Sequence, residues 1–181
     1  NVTLLPYGIS ARVRGIESHG ESRAKAVAGH RTGLNLAGID REQAGRGVLV
    51  SRGHVPCPLM IDVLYHHLPS AEPLPDGAPI RVLLGTAEVL GRLYLATDRE
   101  EARPGSTLPA QIRLDTPLPC LPGDRFIVRR TSPVMTFGGG RIVDPYTTRM
   151  RKKHRVHHGE EIERLAEGAQ LVWLERAGED G

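Results

Sequence analysis

The densest run of charge-bearing side chains in this sequence is Arg149, Arg151, Lys152, Lys153, His154, Arg155, His157 and His158. Guanidinium and ammonium groups at this density can neutralise successive phosphates, because each contact releases a condensed counterion. The same run also suits a solvated helix start or a linker, and residue types alone leave both readings open. Further cations stand singly at Arg92, Arg129, Arg130 and Arg141. Metal and nucleophile chemistry find less support. His66-His67 and His157-His158 are adjacent pairs, and neighbours on a strand point to opposite faces, so no metal site is expected. Cys57 and Cys120 form no CxxC and read as small buried hydrophobes in a reducing compartment. GxxxxGK[ST] and HExxH are both missing, and Gly138-Gly139-Gly140 does not open a helix behind a strand. No catalytic set can be composed, so the chain is not read as an enzyme.

The elements that must position these groups are short strands. Val2 to Leu5 is one; Ile9 to Ile16 alternates, with Ile9, Ala11, Val13 and Gly15 on one face. Thr32 to Ala37 and Val48 to Ser51 follow, separated by a turn and short helical piece over 38–47. Ser51-Arg52-Gly53-His54 reads as a domain boundary. A strand then begins at Leu59, and Pro69, Pro73, Pro75 and Pro79 mark a loop, since proline cannot serve a central ladder. Residues 80–96 read as a hairpin; Ala110, Ile112 and Leu114 alternate, as do Phe126 and Val128. The three glycines are expected to form a tight turn or bulge. From about Glu160 the pattern turns helical, with Ile162, Leu165, Ala169 and Val172 on one face and Gly168 able to split it. The end, 178–181, is expected to fray.

Composition agrees with a mainly β protein: 21 glycines and 14 prolines punctuate short apolar runs, and only 4% of residues are aromatic. No apolar run reaches the roughly 18 residues of a membrane helix. The net charge of +3 is mild, and it is the late clustering of cations that points to an anionic partner. The sequence opens Asn1-Val2-Thr3 without an initiator Met and shows no signal peptide, which suggests an excerpt or processed piece.

Two stretches carry a family resemblance. GHRTGLNLAGIDREQAGRGVLV (29–50) resembles the end of the second domain of elongation factor Tu superfamily GTPases, and LNLAG (34–38) is closest to SelB. GTAEVLGRLYL (85–95) followed by AQIRLDTPLPCLPGDRFIVRRTSPVMTFGGGRIVDP (110–145) resembles the third domain of SelB-type selenocysteine-specific translation elongation factors, including the LPGDRF turn and the SPxxTxGGGxxxDP ending.

The resemblance implies two small antiparallel β-barrels of the translation-factor type, the first incomplete, followed by a C-terminal helical segment. The expected division is 1–54, 55–146 and 147–181, the last a basic linker and helix leading toward a winged-helix domain. It implies a fragment that binds selenocysteinyl-tRNA and delivers it to the ribosome for UGA recoding, in the cytoplasm. A selenoprotein mRNA hairpin would be bound by C-terminal domains outside this sequence, and no membrane is involved. GTP and Mg would belong to the full-length parent, with no cofactor here. Arg31 falls where SelB-like proteins place a cation for the ionised selenol, with His30 beside it; elongation factor Tu has a neutral amide there. The expected tRNA-binding residues are Arg92, Arg129, Arg130, Arg141, Arg149, Arg151, Lys152, Lys153 and Arg155, whereas Arg125 is expected to be structural. The competing reading is a non-catalytic barrel module that docks on protein. An incomplete barrel also implies an unpaired edge near residues 1–10, and with it edge-mediated dimerisation or disorder.

Overall fold

The computed structural model describes residues 1–132 and 135–168. The chain divides into two compact units between Val55 and Pro56. In the first, β1 (Val2–Leu5), β2 (Ile9–Ser18), β3 (Glu21–Arg23), β4 (Gly33–Ala37) and β5 (Leu49–Ser51) form one antiparallel sheet. The long β2 is its spine, pairing with β1, β3 and β4 along successive stretches. Among the described residues the sheet does not close. The expected open edge at residues 1–10 is not there: β1 is interior, paired with β2 and β5, which leaves β3, β4 and β5 at the margins. Val2, Leu4 and Ala11 are buried, with Ile9, Val13, Leu36, Ile39, Val48 and Val50 packed against them. The alternation read from the sequence holds as far as Val13. A register shift between Val13 and Gly15 then ends it. The connector contains a 3-10 turn, Arg41–Ala44, in which Asp40 and Gln43 cap each other's backbone.

The second unit is a closed barrel. β6 (Met60–His67), β8 (Ala78–Leu84), β9 (Ala87–Leu95), β11 (Thr107–Leu114), β12 (Arg125–Arg129) and β13 (Thr136–Asp144) pair in the order β11-β6-β13-β12-β8-β9, and β9 returns to β11. The two short strands β7 (Leu74–Pro75) and β10 (Glu101–Ala102) pair separately. Period two sorts the side chains. Ile61, Val63, Tyr65 and His67 of β6 and Ala110, Ile112 and Leu114 of β11 point inward, while Asp62, Leu64, Gln111 and Arg113 point out. Gly85, with φ of 55°, opens the two-residue turn of the β8–β9 hairpin, a position that favours glycine.

The glycine triplet corrects the sequence expectation of a tight turn. Gly138, Gly139 and Gly140 lie within β13, and none has a positive φ. They are glycines because the backbones of His66, Phe126 and Leu64 come too close for any Cβ. A bulge does occur beside them, where register shifts between Val128 and Arg129.

The helix α1 (Arg155–Glu167) begins five residues before the expected Glu160. Tertiary burial, rather than apolar spacing, sets its start. Gly159, Ile162 and Ala166 are buried, and they pack with Met150, Ala96 and Val143 on the outer face of the barrel. Gly159 has no room for a side chain, because a Cβ would run into the Ala96 carbonyl. Gly168 ends the described helix, its N–H donating to the Arg164 carbonyl at 3.1 Å. Ala169 and Val172, expected on the same face, and the expected fraying of 178–181 lie outside the described residues. Among those described, no helix is long and apolar enough to cross a membrane.

Candidate nucleic-acid interface

A buried polar network holds the basic segment 145–158 against the barrel. Gln111, fully buried on the outward side of β11, uses all its hydrogen-bonding capacity. Its amide nitrogen donates to Asp62 Oδ1 at 3.0 Å and to the Thr148 carbonyl at 2.9 Å. Its amide oxygen accepts from the Met150 N–H at 3.0 Å and from Arg113 Nε at 3.3 Å. Asp62 Oδ2 accepts from Thr147 Oγ1 at 2.6 Å and lies 2.7 Å from His158 Nε2. The His158 contact becomes an ion pair whenever the ring is protonated. Contact with Asp62 raises the His158 pKa against the opposing effect of burial, and Glu161 and Asp144 add to the rise. The segment is therefore strapped to β6 and β11 by groups that are costly to leave unpaired.

The strap closes one side of a cleft of about 420 Å³ lined by Asp76, Tyr94, Leu95, Arg113, Arg149, Met150, Arg151, Lys152 and Arg155. Among the described residues five cations face one carboxylate, and that carboxylate is engaged. Asp76 Oδ1 accepts the Leu95 N–H at 2.7 Å, and Oδ2 lies 3.4 Å from Arg155 Nη1. Arg113 is fixed from three sides. Its Nη2 donates to the Met150 carbonyl at 3.0 Å, its Nε donates to Gln111, and its guanidinium lies 4.0 Å above the Tyr94 ring. Arg149, Arg151, Lys152 and the neighbouring Lys153 are exposed.

The expected cations thus separate by environment. Arg149, Arg151, Lys152 and Arg155 converge on the cleft, and Lys153 follows on the same strap. Arg92 stands beside Arg113 across the β9–β11 ladder and donates to the Gly77 carbonyl at 2.9 Å. The remaining three are elsewhere. Arg130 pairs with Glu72 at 3.3 Å. Arg141 donates at 2.7 Å to the Ala166 carbonyl in the last turn of α1, where a cation also meets the negative end of the helix dipole. Arg129 faces Arg81 across β12–β8 and keeps a buried, unbonded Nε. Arg125 is exposed at the start of β12. Arg113 was not singled out by sequence reasoning. Its only signal was a cation within the alternating β11.

His66 and His67 point to opposite faces, as expected of strand neighbours. His66 is exposed, with Nδ1 at 3.0 Å from Thr107 Oγ1, while His67 is fully buried. The Glu72 carbonyl can only accept, so His67 Nε2 carries the proton (2.8 Å) and Nδ1 accepts from the Tyr65 hydroxyl (2.8 Å). Burial lowers the His67 pKa, which favours the neutral ring. His157 is exposed near Glu160 and Glu161, away from the Asp62 contact of His158. Cys120 is buried and its thiol pKa is pushed up to about 12 by burial, whereas Cys57 is only half-buried.

In the first unit, His30 and Arg31 sit in the loop between β3 and β4, both exposed. The Arg31 carbonyl accepts from Ser18 Oγ at 3.2 Å, and the His30 ring meets the His19 ring edge-on at 6.3 Å. These contacts tie the loop to the β2–β3 turn, and they use the backbone rather than the guanidinium of Arg31.

A closed six-stranded antiparallel barrel, accompanied by a second small antiparallel sheet and a strapped helix, defines a mainly β protein of the small-barrel class. Residues 61–149 match the family described as the selenocysteine-specific elongation factor beta-barrel domain of SelB. The selenocysteine-specific elongation factor of Desulfomicrobium baculatum is 33% identical over 99% of this chain, which spans 29% of that protein. The same-named protein of Haemophilus influenzae is 28% identical over 84% of the chain and 24% of its own length. A crystal structure of bacterial selenocysteine-specific elongation factor EF-Sec superposes with a TM-score of 0.76 at 24% identity, over 96% of this chain and 27% of that one. The chain belongs to the selenocysteine-specific elongation factor family and carries its β-barrel domain. It spans about three-tenths or less of these relatives.

Proposed function

We propose that this chain is the part of a selenocysteine-specific elongation factor that holds selenocysteinyl-tRNA for delivery to the ribosome at UGA codons, in the cytoplasm. The observation that supports this reading is a family barrel domain whose strapped face gathers five cations around one cleft. A-form RNA is engaged through shape and phosphates, which suits fixed arginines more than a base-reading groove. GTP and Mg would act in the full-length factor, as would contact with a selenoprotein mRNA hairpin. No bond-breaking step falls to the residues described here.

Arg31 is the proposed selenol-sensing group, with His30 beside it. An ionised selenol is an anion where serine offers a neutral hydroxyl, so a fixed cation prefers it. A pair at about 4 Å and a dielectric near 20 is worth about 4 kcal/mol before desolvation. Arg31 is exposed in this structure, and exposed pairs are worth about 0–1 kcal/mol. A preference beyond a few-fold therefore requires that bound aminoacyl-tRNA cover the loop.

Filter binding of selenocysteinyl- and seryl-tRNA across a salt series tests the reading. The expected result is binding that weakens steeply with salt, and a selenocysteinyl preference that Arg31→Asn abolishes in a full-length factor carrying these units. Equal preference in the variant removes the selenol role of Arg31. Absence of tRNA binding in dilute salt removes the carrier reading and favours a barrel that docks on protein.

A further inference from the structure

The β2–β3 turn carries a residue that the turn itself does not ask for. Ser18 faces Glu21 in the ladder, so the connection consists of His19 and Gly20, with φ of 54° and 79°. A two-residue hairpin turn with both φ positive prefers Asn, Asp or Gly at its first position, and His19 is none of these. What His19 gains is a neighbour. Its ring meets the His30 ring edge-on, with centroids 6.3 Å apart and planes at 74°, an arrangement that aromatic rings favour. Beside it, Ser18 Oγ donates to the Arg31 carbonyl at 3.2 Å, just beyond the last β2–β4 pair, Glu17 with Gly33. The loop is also shaped from within. The His30 N–H donates to the Val27 carbonyl at 3.2 Å across a turn in which Gly29 has a φ of 82°, and Thr32 Oγ1 donates to the His30 carbonyl at 3.2 Å. These local contacts give the loop its form, and those of Ser18 and His19 fasten it to the sheet.

We infer that His19 is a positioning residue for selenol discrimination: from the β2–β3 turn it holds the backbone from which Arg31 projects, so that the guanidinium meets the aminoacyl end of the tRNA from a fixed base. The inference rests on the role proposed for Arg31 and deepens it by naming what presents that cation. Arg31 is exposed, and an exposed cation gains little from an anion when its side chain and its loop must both be ordered at the moment of contact. A loop already tied at Ser18 and His19 has part of that ordering done before the tRNA arrives. The benefit goes to the cargo that Arg31 attracts. Seryl-tRNA offers no anion there, so its affinity does not depend on the tie.

The test measures dissociation constants of selenocysteinyl- and seryl-tRNA for a full-length factor carrying these units, unaltered and as His19→Asn, His19→Phe, Arg31→Asn and the His19→Asn/Arg31→Asn double variant. Asn suits the first turn position, so the 181-residue chain with His19→Asn is expected to melt at least as high as the unaltered chain. Its selenocysteinyl preference is nevertheless expected to fall by about two- to tenfold, the range of one modest contact, with seryl-tRNA affinity unchanged. His19→Phe keeps the ring edge and is expected to keep the preference. In the Arg31→Asn background the His19 substitution is expected to change nothing further, because residues that act through one contact do not add. An unchanged preference in His19→Asn, with Arg31→Asn defective, overturns the inference and leaves the selenol role of Arg31 standing. Equal weakening of both tRNAs in His19→Asn overturns it as well, by making the turn a general prop for binding. Loss of preference in His19→Phe assigns the effect to the imidazole nitrogens rather than to position, with the same consequence. Full preference in Arg31→Asn removes the reading beneath the inference, and both fall together.

Discussion

At the scale of single residues, Asp62 and His158 add a pH-sensitive contact to those by which Gln111 holds the strap. His158 is 19% exposed at its side chain and lies 2.7 Å from an almost fully buried carboxylate. The groups facing it are Asp62 of β6, Asp144 of β13 and Glu161 of its own helix, all acidic. Its folded pKa is raised above the ordinary value near 6.5, chiefly by Asp62. A raised pKa means that the pair stabilises docking fully below the unfolded value and that this contribution is lost as pH rises through the folded one. Amide exchange of residues 147–158 is therefore expected to accelerate as pH climbs from 6 to 8, beyond the intrinsic rise with hydroxide. In His158→Gln the excess is expected to vanish, with the strap uniformly looser. A strap whose corrected exchange is flat with pH in the unaltered chain contradicts the role given to His158. The adjacent pair His157-His158 was visible in the sequence. That one member meets Asp62, 96 positions away, was not.

At the scale of elements, α1 shows local propensity yielding to packing. Glycine in a helix interior costs up to about 1 kcal/mol relative to alanine, so Gly159→Ala improves the isolated helix. In the folded chain the added methyl would meet the Ala96 carbonyl and Pro109, and such overpacking typically costs about 1–3 kcal/mol. Packing prevails, and a Gly159→Ala variant is expected to have a lower melting temperature and a more protease-sensitive strap. An unchanged or raised melting temperature shows that α1 does not sit this close to β9. The same logic explains why Gly138 to Gly140 form a strand where the sequence suggested a turn: the missing side chains let three backbones approach. The start of α1 within the basic run follows as well, because Gly159 and Ile162 are buried on the barrel and carry the helix back to Arg155.

At the scale of the whole molecule, the two units differ in how much core they own. The first buries Val2, Leu4 and Ala11 behind partly covered neighbours, whereas the barrel encloses a large continuous cluster including Ile61, Tyr65, Leu93, Ile112 and Phe126. Burial of apolar surface contributes about 25 cal/mol per Å², so the first unit is the less stable. Heating is expected to melt residues 1–55 before the barrel, giving two transitions by calorimetry and earlier loss of amide protection in β1 to β5. A single transition with uniform protection contradicts this. The sequence by itself determined the mainly β class, most strand positions, the family and the cation-rich strap. Each of these is written in local period, turn residues or contiguous motifs. Only the tertiary structure decided which cations lie together. Arg113, Tyr94 and Asp76 meet the strap because a closed barrel turns alternate residues of distant strands to one outer face, and a buried Gln111 fastens residues 148 and 150 there. Convergence of that kind depends on register and closure, which spacing along the chain does not encode.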